Sequence, residues 1–304
     1  MKTALLAVLI AETLVYAIVW FAHLHRTRKA VPGATAAAGD LKLAPQVGVG
    51  FFANFLDTLG VGSFAITSSI YKLLSFVPDD LIPGTMNVGH ALPTVAEALI
   101  FILVIAVDFK TLVAMIAAAV LGAWFGAGMV SGWSKHRIQI GLGLALLAAA
   151  MLMLGSQLNL YPVGGEALGL TGVKFWIAVG ANFMFGAFMQ LGVGLYAPCM
   201  ILVYLLGMTP RAAFPIMMGS CAFLMPVGSY QFVRAKRYDR IAALGLTLGG
   251  IPAVLIAAYV VKSLPLGAVR WLVVCVVLYT SVMLLRSASQ KALQPAPAPK
   301  TASE

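Results

Sequence analysis

The chain is 304 residues long, 61% apolar and only 10% charged, with a mean hydropathy of +0.97. A soluble domain is about a quarter charged, and water would not tolerate this much apolar surface. A globular soluble fold is therefore excluded, and an all-α integral membrane protein of many spans is expected. The net charge of +10 reads as topology, not nucleic-acid binding, because cytoplasmic loops keep Lys and Arg.

Residues 4–21 form the first apolar run. Lys2 precedes it and a basic cluster at 23–29 follows it. A signal peptide has the reverse order, so an uncleaved helix with its N-terminus outside is expected. Glu12, within the run, reads as a paired structural carboxylate. Further spans are expected at 84–107, 111–130, 138–155, 213–233, 241–261 and 265–285, each near the ~20 residues that cross a bilayer as helix. Two stretches, 45–76 and 174–208, are too long for one ordinary span. Each carries Leu-Gly-Val-Gly in its middle, at 59–62 and 191–194. Glycine weakens a helix and permits unusual backbone geometry, so each stretch is expected to be two helical pieces joined at the glycines.

These stretches belong to an internal duplication. At an offset of 132 residues, 51–74 matches 183–206 at Phe51/Phe183, through the whole Leu-Gly-Val-Gly motif, at Ala65/Ala197 and at two leucines near the end. Gly84-Thr85 further corresponds to Gly219-Ser220, and Asp108 to Asp239. Four units follow: residues 1–44, an N-terminal helix and basic loop; 45–155, a first repeat; 173–286, a second repeat; and 287–304, a disordered cytoplasmic tail. If each broken element is re-entrant, each half crosses three times and the second half is inverted. Most Lys and Arg, including Lys135, Arg137, Arg234, Lys236, Arg237 and Arg240, then share the cytoplasmic side with the C-terminus, in an inner (plasma) membrane. Inverted repeats around broken helices are common in secondary transporters.

The duplicated glycine motif, a helix opening on Gly-Thr or Gly-Ser, and an Asp ahead of the next helix resemble the sulfite exporter TauE/SafE family over roughly residues 47–285. The family's usual Gly-x-Gly-Gly-Gly with a following proline is shortened here. Gly60-Val61-Gly62-Ser63 and Gly192-Val193-Gly194-Leu195 stand in its place, and only the second half keeps the proline, Pro198. The resemblance implies export of small sulfur-containing anions such as sulfite or organosulfonates.

The residues themselves point to the glycine breaks. A half-helix starting at Gly62 or Gly194 would aim free N–H groups and a positive dipole end into the protein, although the same glycines could serve only close packing. Gly60, Gly62, Ser63, Thr67, Gly192, Gly194 and Tyr196 form this candidate anion site, with Ser63 and Thr67 as hydroxyl donors. Thr85, Asn87 and Ser220 are candidates at two further helix starts expected to face the same cavity. For Thr85 and Ser220 the alternative is a hydroxyl bonded back to its own helix. Asp57, His90 and Glu97 are proton-coupling candidates, since ionisable groups at membrane depth tend to be functional. Lys72 reads as a partner of Asp57, as an attractor for anions, or as a snorkelling side chain.

Cys199, Cys221 and Cys275 lack ligand spacing and read as small apolar residues. No metal or cofactor is expected. There is no Walker A motif, so no ATP-driven pump, and Gly62-Ser63 lacks the closing glycine of a nucleophile elbow, so no enzyme is expected. The expected partners are the lipid bilayer and a small anion, with a homodimer allowed and nucleic acid not expected. The expected function is a secondary transporter exporting small sulfur-containing anions, coupled to protons. A passive anion channel is the alternative, and an intramembrane enzyme ranks below it.

Overall fold

In the computed structural model the described residues are 2–29, 36–78, 80–130, 135–158, 165–189 and 194–292. They form helices and connecting turns, with one isolated bridge between Ala167 and Met208. In chain order the helices are α1 Lys2–Lys29, α2 Ala36–Thr58, α3 Ser63–Leu74, α4 Ile82–Val104, α5 Phe109–Val130, α6 Lys135–Gln157, α7 Gly172–Met189, α8 Tyr196–Leu205, α9 Ala213–Ala235, α10 Arg240–Ser263 and α11 Leu266–Ala292. Six of these are long and apolar enough to cross a membrane, and the chain is a multi-pass membrane protein. Large apolar side chains such as Leu14, Val15 and Ile18 of α1 and Trp124 and Phe125 of α5 face outward, as a lipid solvent favours.

Both long stretches are broken where the glycines predict. α3 has 12 residues and α8 has 10, lengths of about 18 and 15 Å at 1.5 Å per residue. Neither reaches across a hydrocarbon core of about 30 Å. At the first break Gly60 and Gly62 have φ of +97° and +92°, a region side chains rarely enter. A Cβ on Gly62 would meet nothing within 4 Å, so this glycine serves backbone geometry rather than close packing. Residues 190–193, including the candidate Gly192, lie outside the described residues.

Helix pairs are drawn together by small residues. A Cβ on Gly50 would stand 2.6 Å from Leu246 Cα, and one on Gly249 would run into Val47 O. This seats α2 along α10, with Gln46 beside Gly245 and Asn54 beside Gly250, so the two helices run in the same direction. α7 lies along α5 in the same manner. Gly122 abuts Phe183 O, Gly186 abuts Ala119 O, and Asn182 Nδ2 donates to Met115 O at 2.7 Å. Close backbone approach of this kind replaces the hydrophobic drive that is missing between helices in lipid. α4 packs on α9 and α6 on α11. α9 is the most enclosed helix, its apolar window 83% buried against 22% for α1 at the rim. Phe101 of α4 stacks on Phe214 of α9, ring centres 5.4 Å apart, at the core.

Short bonds tie the helix ends. Asp108 and Asp239 are N-caps: Asp108 Oδ2 accepts from Thr111 N and Asp239 Oδ1 from Ala242 N, both at 2.8 Å. The residues entering α7 and those leaving α8 meet at one end, where Thr209 N donates to Ala167 O at 2.9 Å and Asp108 N to Leu168 O at 2.7 Å. At the opposite end Asp239 N donates to Thr85 Oγ1 at 2.8 Å, and the His23 ring lies 5.9 Å from that of Tyr238. Lys2 Nζ reaches Ile102 O and Ile105 O at 2.9 and 3.0 Å, satisfying carbonyls at the end of α4.

Candidate functional site

Both breaks open onto one cavity of about 70 Å3. Val61, Gly62 and Ser63 line it from the first break, and Gly194, Leu195, Tyr196 and Ala197 from the second. Asp57 and Met189 stand behind the breaks, while Cys221 and Met225 of α9 supply sulfur atoms to the wall. Drug-sized ligands need about 300 Å3 or more, so the space suits a small polyatomic solute.

The start of α3 already holds an anion-type ligand, and it is the protein's own. Asp57 Oδ1 accepts from Ser63 N at 2.7 Å, and Asp57 Oδ2 accepts from Ser63 Oγ at 3.0 Å. The side chain is 3% exposed. Folding places it there because the turn through Gly60 and Gly62 folds the end of α2 back on the start of α3, with Gly60 N bonded to Asp57 O at 2.7 Å and Val61 N to Leu56 O at 3.0 Å. The α8 start differs. Behind it stands the uncharged Met189, and its N-cap, Leu195, like Gly62 at α3, makes no side-chain bond to the helix. Pro198 has no N–H to offer, and Tyr196 and Ala197 line the cavity beside it.

Behind this layer lies a second set of polar contacts. Tyr196 Oη donates to Glu97 Oε2 at 3.1 Å. Thr58 Oγ1 lies 2.8 Å from both Asn54 O and Glu97 Oε1. A hydroxyl has one proton, and Asn54 O can only accept, so both Thr58 contacts are hydrogen bonds together only when Glu97 supplies the second proton. His90 sits apart in a separate chain, its Nδ1 3.0 Å from Asn54 Oδ1 and its Nε2 2.9 Å from Thr67 Oγ1. Asn54 Nδ2 donates to Gly50 O at 2.7 Å, so Asn54 turns its oxygen to the ring and Nδ1 is the donor. Thr67 then gives its proton to the neutral Nε2.

The structure thus brings Asp57, Gly62, Ser63, Gly194 and Tyr196 onto the cavity, with Glu97 one hydrogen bond behind Tyr196. It keeps other candidates away. A Cβ on Gly60 would meet Met200 Sδ at 3.0 Å, so this glycine faces that side chain. Thr67, expected as a donor to an oxyanion, has its hydroxyl turned to His90. Thr85 Oγ1 donates to Leu81 O and Ser220 Oγ to Ile216 O, each at 2.8 Å, so both hydroxyls bond back to their own helices. Ser220 lies two turns into α9 beside Asn182, 3.3 Å away, whereas Thr85 lies in the first turn of α4; they do not occupy matching places. Asn87 Nδ2 is satisfied by Pro83 O at 2.9 Å. Lys72 is exposed, a snorkelling position rather than a partner for Asp57. Glu12 Oε1 has no hydrogen-bond partner, in contrast to the paired carboxylate expected.

Sequence reasoning passed over the sulfur-bearing wall and the hydroxyl of Thr280, and it noted Thr94 among the polar residues at membrane depth without assigning it a role; both threonines line the cavity. Met189 was open to detection, since the duplication offset carries Asp57 onto it. Cys221 and Met225 carry no sequence signal that separates them from core residues. Among the described residues no group of His, Cys, Asp and Glu is arranged to hold a metal ion. Compared with known proteins, the chain matches no family model, no curated protein and no solved structure.

Proposed function

We propose that this protein is a secondary transporter that exports small sulfur-containing oxyanions, coupled to protons. One observation carries the reading: two helix starts, one from each broken pair, line a single small cavity inside a membrane protein. Helix starts favour negative charge through free N–H groups and the dipole, and the start of α3 already holds a carboxylate there. Amides without net charge bind an anion yet let it go, as a carrier needs. The choice of sulfur oxyanions rests on the resemblance of the glycine motifs to the TauE/SafE family.

Alternating access follows from an arrangement of two inverted repeats, α2–α6 and α7–α11. Supporting it, exchanging the halves turns the α2–α10 pair into the α7–α5 pair and leaves α4–α9 and α6–α11 unchanged. The entry to α7 and the exit of α8 also share one end of the molecule, as a re-entrant pair requires. We place this end outside. The opposite end, with Arg234, Lys236, Arg237, Arg240 and the end of α1, then lies in the cytoplasm of a cell bounded by its inner membrane.

Transport of sulfite, sulfate, taurine and sulfoacetate into proteoliposomes tests the reading. A carrier shows saturation and counterflow with at least one of them. Steady current without counterflow would identify a passive channel, and no flux of any of the anions would overturn the proposal.

A further inference from the structure

The two breaks differ at matching positions. Asp57 stands behind the first and Met189 behind the second, 132 residues apart, and both line the cavity. Asp57 occupies the donors that a substrate anion would use at α3, the N–H and O–H of Ser63. At the matching place behind the start of α8 stands Met189, which carries no charge.

We propose that Asp57 is a tethered anion that competes with the transported anion for the start of α3, and that protonation of Asp57 is what releases those donors. This rests on the reading of the cavity as an anion site. The step balances. The Asp57 carboxylate takes up one proton from water and its charge is lost. The new O–H turns to the Ser63 oxygen as donor, and the Ser63 O–H and N–H become free to face the cavity. An incoming anion replaces the lost negative charge. Met189, at the matching place of α7, has no charge to release, so α8 makes the first contact and α3 completes the site only with a proton on board. Anion and proton then move together because one negative charge, not two, fits the space.

The groups around Asp57 leave it this role. Glu97 and His90 face the region from α4, Tyr196 and Cys199 from α8, and Cys221 from α9. Glu97 is engaged by Thr58 and Tyr196, and His90 by Thr67 and Asn54. The cations of α3 and α10, Lys72, Arg240 and Lys262, are exposed at the ends of those helices and do not pair with it. Among the described residues, Asp57 is the carboxylate that both bonds a helix start and lines the cavity.

The test is calorimetry on the purified full-length protein in lipid nanodiscs, titrated with methanesulfonate and with sulfate, which stay ionised from mildly acidic to mildly alkaline pH. Comparing buffers of different ionisation enthalpy gives the protons taken up per anion. The expected wild-type result is uptake of one proton, with affinity falling up to about tenfold per pH unit where Asp57 titrates. Asp57→Asn is expected to bind without uptake and with a flat pH profile. Met189→Asp adds a second tether, so uptake should rise above one and alkaline binding should weaken. Anion binding by wild type with no proton uptake, or unchanged uptake in Asp57→Asn, overturns the proposal while the anion site stands. Should Asp57→Asn fail to fold, the wild-type uptake and Met189→Asp decide alone. Absence of binding by either anion overturns the anion reading itself, and the tether falls with it.

Discussion

The first break is tightly specified, and the described part of the second carries fewer constraints. At the first, two glycines at positive φ and a buried aspartate fix the turn into α3, and polar side chains are bound to one another in depth behind it. At the second, Gly194 stands outside the positive-φ region, and the uncharged Met189 takes the place of the aspartate. The two Leu-Gly-Val-Gly motifs are alike, yet the charged Asp57 stands at the first, while the second half brings Met189, Cys221 and Met225 to the wall beside the hydroxyls of Tyr196 and Thr280. Two like sequence motifs thus meet one cavity with different chemistry, a carboxylate behind one and a thioether behind the other.

The sharpest way to break this comparison is at the glycines. A side chain at Gly62 must adopt φ near +92°, and a strained position of this kind costs about 1–3 kcal/mol. Leucine there also projects into the cavity. Gly62→Leu is expected to cut transport about a hundredfold or more, from strain of this size and a filled cavity together. Gly194→Ala should transport nearly as wild type, because the added methyl meets nothing within 4 Å. Equal loss in the two variants, measured as initial uptake into proteoliposomes at matched insertion, would show that the breaks are equally constrained.

A smaller effect separates the layers behind the breaks. Tyr196→Phe removes the donor to Glu97 Oε2 and leaves a buried oxygen unpaired, at a cost of about 1–3 kcal/mol. Thermal stability in detergent should drop, and transport should fall by about tenfold, the lower half of that range. His90→Gln lies in the other chain. It should lower stability through Thr67 and Asn54 yet leave the pH profile of transport in place. A pH profile lost in His90→Gln would move proton coupling away from Asp57.

The membrane class, the helices and the positions of both breaks were legible in the sequence, because apolar length and glycine punctuation are local signals. Asp57, Gly62 and Ser63 were legible for the same reason: they crowd one short turn. What stayed hidden depends on three-dimensional pairing. Nothing local says that Ser63 gives its proton to Asp57, or that Thr67 gives its own to His90, and those two bonds decide which hydroxyls an anion can use. The matching of Gly84-Thr85 with Gly219-Ser220 misled for a related reason. The offset there is 135 residues, not 132, and those three residues are most of a helical turn, enough to put Ser220 beside Asn182 while Thr85 meets Asp239.

Thr85 therefore gives the smallest expected effect on transport, and a way to sharpen the boundary of the first half's polar region. Its Oγ1 accepts from Asp239 N at 2.8 Å and donates to Leu81 O at 2.8 Å, which ties the start of α4 to the start of α10. Thr85→Val keeps the shape and removes both bonds. The Asp239 N–H is left without its acceptor in a partly buried place, a loss of about 1–3 kcal/mol, so the melting temperature should fall. Thr85→Ser restores both bonds and should restore stability. Transport per folded molecule should stay within about twofold in each variant, because a shift of a few tenths of a kcal/mol is all that a bond remote from the cavity should pass on to the transport barrier. A Thr85→Val protein that melts normally but does not transport would place substrate at the start of α4. The polar region of the first half would then extend beyond the cavity toward the end that holds Asp239.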